Sequence, residues 1–162
     1  MVINRRKIGF ALLFSVFIIL LAGCTGDSSN ANQEYDDMVH MIVDGKSIEE
    51  VENYQTDSQK IIELFVDFYS NLSAVEQSDS DCIILKEGFE STADYSIQYR
   101  DNLILCTNLD RINGMELTEG IYLTLTKDNS RRYTEKHYLL RKDSSIAKDL
   151  EKLKDMIKRE RK

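Results

Sequence analysis

Between residues 56 and 159 the apolar positions change their spacing twice, and this restricts the fold more tightly than composition does. Ile61, Phe65, Phe68 and Leu72 recur at helical intervals, which predicts a buried helix over 57–72. Thr56 and Gln59 stand before it at the spacing of a capping box. From Cys82 the period falls to two, and strands are predicted over 82–86, 95–100, 103–107, 121–127 and 133–141. Arg100-Asp101-Asn102, Asn113-Gly114 and Asp128-Asn129-Ser130 separate them with residues that tolerate tight turns. The helical period returns at Ile146, Leu150, Leu153 and Ile157, which predicts an amphipathic helix over 144–159 capped by Asp143 or Ser144. Ahead of all this, 38–54 reads as a hairpin turning at Asp44-Gly45-Lys46-Ser47, with a helix over 49–53 as the alternative. The expected fold is α+β, a small antiparallel β-sheet with one helix before a meander and the C-terminal amphipathic helix packed on it. In that arrangement Ile121, Leu123 and Leu125 face the helices, while Tyr122, Thr124 and Thr126 take a wet side.

The first 23 residues are a different object. They hold 16 hydrophobic residues and the cations Arg5, Arg6 and Lys7 without one acid. A basic start followed by an apolar run from Ile8 to Ala22 has the pattern of a secretory signal peptide. At about 15 residues the run falls short of the roughly 20 needed for a permanent membrane-spanning helix. The run ends in Leu21-Ala22-Gly23-Cys24, where small Ala22 and Gly23 leave the backbone accessible to a peptidase and Cys24 offers a nucleophilic sulfur. These four residues resemble the lipobox of bacterial lipoproteins, at the position that family gives it. The resemblance covers residues 1–24 only. It implies peptidase recognition of Leu21, Ala22, Gly23 and Cys24, diacylglycerol transfer to the Cys24 thiol, cleavage before it, and anchoring on the extracytoplasmic face of the cell membrane. Two acyl chains would make that anchoring stable.

The expected organisation is a cleaved signal peptide over 1–23, a lipidated Cys24 with a flexible tether to residue 37, and a single α+β domain over 38–162. The segment 25–37 is rich in Ser, Asn and Asp without apolar periodicity. Thirteen such residues reach about 20 Å on average.

Without residues 1–23 the chain keeps 18 Lys and Arg against 28 Asp and Glu, a net charge of −10. Broad nucleic-acid binding needs a basic footprint and is disfavoured. The balance is uneven. Residues 24–126 carry 5 cations and 21 anions, whereas 127–162 carry 13 cations and 7 anions. Two readings follow: internal pairing, with Asp149, Glu151 and Asp155 bound to cations one turn onward, or an anionic partner, which includes the membrane itself.

Chemistry-bearing motifs are sparse. His40 and His137 lack a second ligand at a recognised metal spacing, and there is no Gly-x-Ser-x-Gly, phosphate-cradling loop or Cys-x-x-Cys. No catalytic residue, metal site or cofactor is therefore predicted. Cys82 and Cys106 are candidate disulfide partners in an oxidising compartment, but a meander that begins at Cys82 and ends at Cys106 places them at opposite ends of the sheet. Tyr95, Tyr99, Tyr122, Tyr133 and Tyr138 fall in predicted strands and form a candidate binding surface on the wet side. The expected role is a non-enzymatic binding domain, lipid-anchored and directed at an envelope protein or peptide. The alternatives are a membrane-tethered hydrolytic enzyme and a protective or regulatory lipoprotein that captures a cationic peptide or toxin.

Overall fold

The computed structural model describes residues 37–44, 50–128 and 133–160. The signal segment, the four lipobox residues and the tether as far as residue 36 lie outside this set, as do most of the 44–47 turn and the Asn129-Ser130 turn. The fold is α+β, with a seven-stranded antiparallel sheet and two helices. The strands are β1 (Val39–Val43), β2 (Glu52–Thr56), β3 (Cys82–Leu85), β4 (Tyr95–Tyr99), β5 (Asn102–Asn108), β6 (Gly120–Asp128) and β7 (Tyr133–Arg141). The helices are α1 (Gln59–Ser73), between β2 and β3, and α2 (Ser145–Arg159), after β7.

The expected first hairpin is present, with Val39 opposite Thr56 and Val43 opposite Glu52. Residues 52–56 are strand, so the helical alternative is not adopted at Glu52 and Asn53; residue 49 lies outside the described residues. The capping box is not formed either. Thr56 belongs to β2, where its hydroxyl accepts from the Ser58 backbone N–H at 3.1 Å, and α1 starts at Gln59 with Ser58 at its N-cap. At the second helix Ser144 caps as expected, its hydroxyl accepting from the Ala147 N–H at 3.1 Å.

Sheet order is β2-β1-β4-β5-β6-β7-β3. The predicted meander is corrected here, because β3 does not precede β4 in space. It lies at the far edge beside β7, with Cys82 opposite Leu140 and Leu85 opposite His137. Physically, β3 is apolar on both sides: Cys82 and Ile84 point into the helix-covered core, Ile83 and Leu85 into a second cluster on the other face. Only a neighbour with apolar residues on both faces covers all four, and β7 offers Tyr138 and Leu140 on one side and Leu139 on the other.

The main core lies between the sheet and the two helices. From α1 it takes Ile61, Phe65, Tyr69 and Leu72, and from α2 Ala147, Leu150, Leu153 and Ile157. Each set recurs every three or four residues, so one stripe of each helix lies on the sheet. The opposite face was expected to be wet, and it is not. Tyr122, Thr124 and Thr126 are all buried. Leu109, Tyr122 and Leu139 cluster there with Ile112, Met115 and Leu117 of the β5–β6 connection, and the β3–β4 connection crosses the same face as a strap. Large apolar side chains on that side need cover, and the two connections supply it.

The free edge of β3 is occupied by the chain just before it. Cys82 N–H donates to Asp79 Oδ1 at 2.7 Å, Ile84 N–H to Ser78 Oγ at 2.9 Å, and Asp79 N–H to the Cys82 carbonyl at 2.9 Å. These bonds consume donors and an acceptor that an unguarded edge strand would present to another chain.

Candidate functional site

The five tyrosines do not share a face, so the tyrosine-lined surface is corrected. Tyr95, Tyr99 and Tyr138 point into the helix-covered core, because alternate residues of β4 and the register across β5 and β6 bring them to that side. There they tie the helices to the sheet. Tyr138 donates to the Leu72 carbonyl at 2.9 Å, Tyr95 to Glu151 Oε1 at 3.2 Å, and the ring of Tyr99 meets Phe65 edge-on at 6.1 Å. Burial raises the hydroxyl pKa of Tyr138 to about 12, with smaller contributions from Cys82 and Tyr69. Tyr133 stands alone at the start of β7, 64% exposed. Tyr122 is the one of the five under the strap.

Of the two readings of Cys82 and Cys106, bridged or separate, the structure has separate thiols. Both thiols are free and buried. Cys106 on β5 and Cys82 on β3 are separated by β6 and β7, about 14 Å at the usual strand spacing. A bridge needs Cα atoms within about 7 Å. Burial pushes the Cys82 thiol up to about 11, reinforced by Asp79, and it drives the thiol of fully enclosed Cys106 upward as well.

Under the strap, the β6–β7 register places Thr124 opposite His137 and Tyr122 opposite Leu139. The His137 side chain is 14% exposed. Its Nδ1 lies 3.0 Å from Tyr122 Oη and 3.2 Å from Thr124 Oγ1, and its Nε2 lies 3.7 Å from Glu135 Oε2. The Phe89 N–H donates to Tyr122 Oη at 2.9 Å, and the Phe89 ring meets that of Tyr122 edge-on at 5.6 Å. Gly88 sits so close to the imidazole that a Cβ there would stand 2.5 Å from His137 Cε1. Phe89, Tyr122, Thr124, Glu135 and His137, together with Ser91, Ala93, Leu105 and Thr107, line a niche of about 190 Å³. The arrangement orients an imidazole between hydroxyls and a carboxylate. Among the described residues no three metal-ligating side chains gather at one point.

On the other side of the molecule, a groove of about 410 Å³ runs between the helices. Leu64, Phe68, Leu72 and Val75 form one wall, Ile146 and Leu153 the other, and Asp67, Asn71, Asp149 and Lys152 stand on it as polar groups. The helical period explains the first wall. Phe68, expected in the core with Ile61, Phe65 and Leu72, is only half-buried because Tyr69 takes the inward position and turns Phe68 to the groove. Sequence periodicity locates each apolar stripe. It carries no signal for the gap between two helices that end at Ser73 and begin at Ser145.

No known protein family, curated protein or solved structure matches the chain. No helix of the described residues is long and apolar enough to cross a membrane.

Proposed function

We propose that the chain is a lipid-anchored binding protein of the extracytoplasmic membrane face, holding an apolar peptide segment of an envelope partner in the α1–α2 groove. The groove carries this reading. Its volume of about 410 Å³ falls within the roughly 300–1,000 Å³ range of ligand sites, and an apolar lining with few polar groups is their usual chemistry. The rim has two carboxylates, Asp67 and Asp149, against one ammonium, Lys152, so a segment with a cationic residue beside its apolar anchors suits it best. Binding is favoured over turnover because the oriented imidazole, His137, lies on the opposite face in a niche of about 190 Å³, below the ligand range. Leu21-Ala22-Gly23-Cys24 supplies the anchor, and the 25–37 segment gives the domain room to meet a partner.

Fatty-acid labelling of the wild-type chain and its loss in Cys24→Ala test the anchor. Continued acylation of Cys24→Ala overturns it. A photoreactive residue at Asn71 in living cells tests the groove, with the same probe at Val66, on another side of α1, as control. One dominant envelope adduct from Asn71 alone, lost in the Cys24→Ala background, is the expected result. Equal adducts from both positions, or none from either, overturn the binding role.

A further inference from the structure

The apolar stripe of α2 is turned onto the sheet, with Ala147, Leu150, Leu153 and Ile157 all buried, so this helix does not offer its stripe to lipid. Its cations remain outside. Lys142, Lys148, Lys152 and Arg159 line a broad hollow along α2, joined by Lys60 from the first turn of α1, and all five are exposed. Glu151 and Asp155 bring negative charge to its lining, and Asp143, next to Lys142 in the chain, lies near enough to Lys148 to feel its charge. Glu151 is already engaged by Lys154 and by the Tyr95 hydroxyl. The expected pairing of Asp149, Glu151 and Asp155 with cations one turn onward is thus met at Glu151 and Lys154, and among the described residues none of the five patch cations forms an ion pair.

A cluster of cations outside any ion pair, on a domain whose residues 38–162 carry 18 cations against 24 anions, a net charge of −6, has an orienting effect. An anionic surface repels the body of the domain and attracts this one area. Its placement matters as much as its charge. The described chain begins at Asp37 and runs into β1, and Lys60 follows closely on β2, whose Thr56 is opposite Val39. The helix α2 packs against β1 and β2, and the hollow joins Arg159 near its end to Lys60 just after β2, so the patch reaches the margin at which the chain enters the domain.

We propose that this patch docks the domain on the headgroups of an anionic lipid membrane, laying it helix side down. The inference rests on the anchored reading for its geometry, because a tether reaching about 20 Å brings the patch to the bilayer, within about 10 Å of which the field of anionic lipid acts. Each Lys or Arg near such a surface gains affinity, and salt removes the gain. Docking also places the neighbouring α1–α2 groove next to the membrane, where an apolar segment emerging from the bilayer would meet it.

The test uses the full chain recovered from cells, incubated with phosphatidylcholine vesicles and with phosphatidylcholine–phosphatidylglycerol vesicles. A membrane-impermeant amine-acylating reagent then reads Lys60, Lys148 and Lys152 by mass spectrometry, with Lys86, at the opposite margin of the sheet, as reference. The expected result is acylation of the three patch lysines at least about fivefold slower on the anionic vesicles, the factor that one well-placed charge contributes, with Lys86 unchanged. High salt should abolish the difference at all three lysines, and the combined substitutions Lys148→Glu, Lys152→Glu and Arg159→Glu should abolish it at Lys60, the patch lysine that remains to be read. Equal labelling on the two vesicle types overturns the proposal, and so does slowing that extends equally to Lys86. Protection found in intact cells but on neither vesicle assigns the patch to an anionic protein, which overturns it as well. Flotation with neutral vesicles reports the anchor separately. If Cys24→Ala floats as well as wild type, the anchor reading falls while the lysine protection still decides the patch.

Discussion

Tyr122 and His137 are joined across β6 and β7 by a 3.0 Å hydrogen bond between Oη and Nδ1, and the same hydroxyl accepts the Phe89 N–H of the strap. One oxygen therefore links a loop to two strands. Tyr122→Phe keeps the ring and removes the link, leaving the Phe89 N–H without this acceptor. The expected cost is about 1–2 kcal/mol. Amide hydrogen exchange should rise at residues 86–92 while the β6 and β7 amides stay protected.

Gly88 and His137 make a second test of the strap. A Cβ at Gly88 collides with an imidazole that Tyr122 and Thr124 hold in place, so Gly88→Ala should destabilise the domain by about 1–3 kcal/mol. In a His137→Ala background the obstacle is gone, and the same substitution should cost far less. A double-mutant cycle in urea measures the coupling, and additivity of the two changes would contradict the packing.

At the main core, Tyr138→Phe removes the donor to the Leu72 carbonyl in the last turn of α1. That carbonyl also accepts the Val75 N–H at 3.1 Å, so it retains a partner. The expected loss is about 1 kcal/mol, at the ordinary level for one hydrogen bond, read as a lower urea midpoint with an unchanged slope.

Alkaline pH should destabilise the fold. Burial raises Cys82 to about 11 and Tyr138 to about 12, and it raises Tyr69, Tyr95 and Cys106 as well. Above the ordinary thiol and phenol values the unfolded chain releases protons that the folded chain keeps. The unfolded state then binds fewer protons, and stability falls as pH rises. Stability from Cys82 is complete below about 9 and is lost as the pH climbs through 9 toward about 11. Urea midpoints at pH 7, 9 and 10 should decline in that order, with a shallower decline in Cys82→Ala.

Asp94 closes the other end of the strap. Its carboxylate accepts the Asn108 N–H at 2.6 Å and meets Arg111 Nη1 at 2.6 Å, tying the start of β4 to the end of β5 and the turn after it. Asp94→Asn replaces a charged acceptor with a neutral amide. About 1–2 kcal/mol should be lost, with faster exchange of the 108–112 amides.

The helices and strands were legible because each is encoded by its own period. Ile146, Leu150, Leu153 and Ile157 locate α2 without reference to any other segment, and the alternation of Ile121, Leu123 and Leu125 locates β6. Strand order is a different kind of information. Alternation says which side of Cys82, Ile83, Ile84 and Leu85 points where, and nothing local says that the partner is β7, more than 50 residues onward. The misplaced β3 led directly to the error about the wet face. Once the 86–94 connection has to return from one edge of the sheet toward the middle, it crosses the face that was expected to be wet and buries Tyr122. The groove was illegible for a related reason, since its two walls are each apolar stripes that sequence alone assigns to the core.

The Ser78 and Asp79 bonds along β3 have a consequence for molecules held in a plane. Chains anchored as proposed would meet one another at far higher local density than free ones, and a sheet with two open margins would then grow as a ribbon, each copy extending the last. With the β3 margin occupied by its own chain, sheet-to-sheet joining has only β2 to use. Any such joining is edge to like edge and stops at a pair.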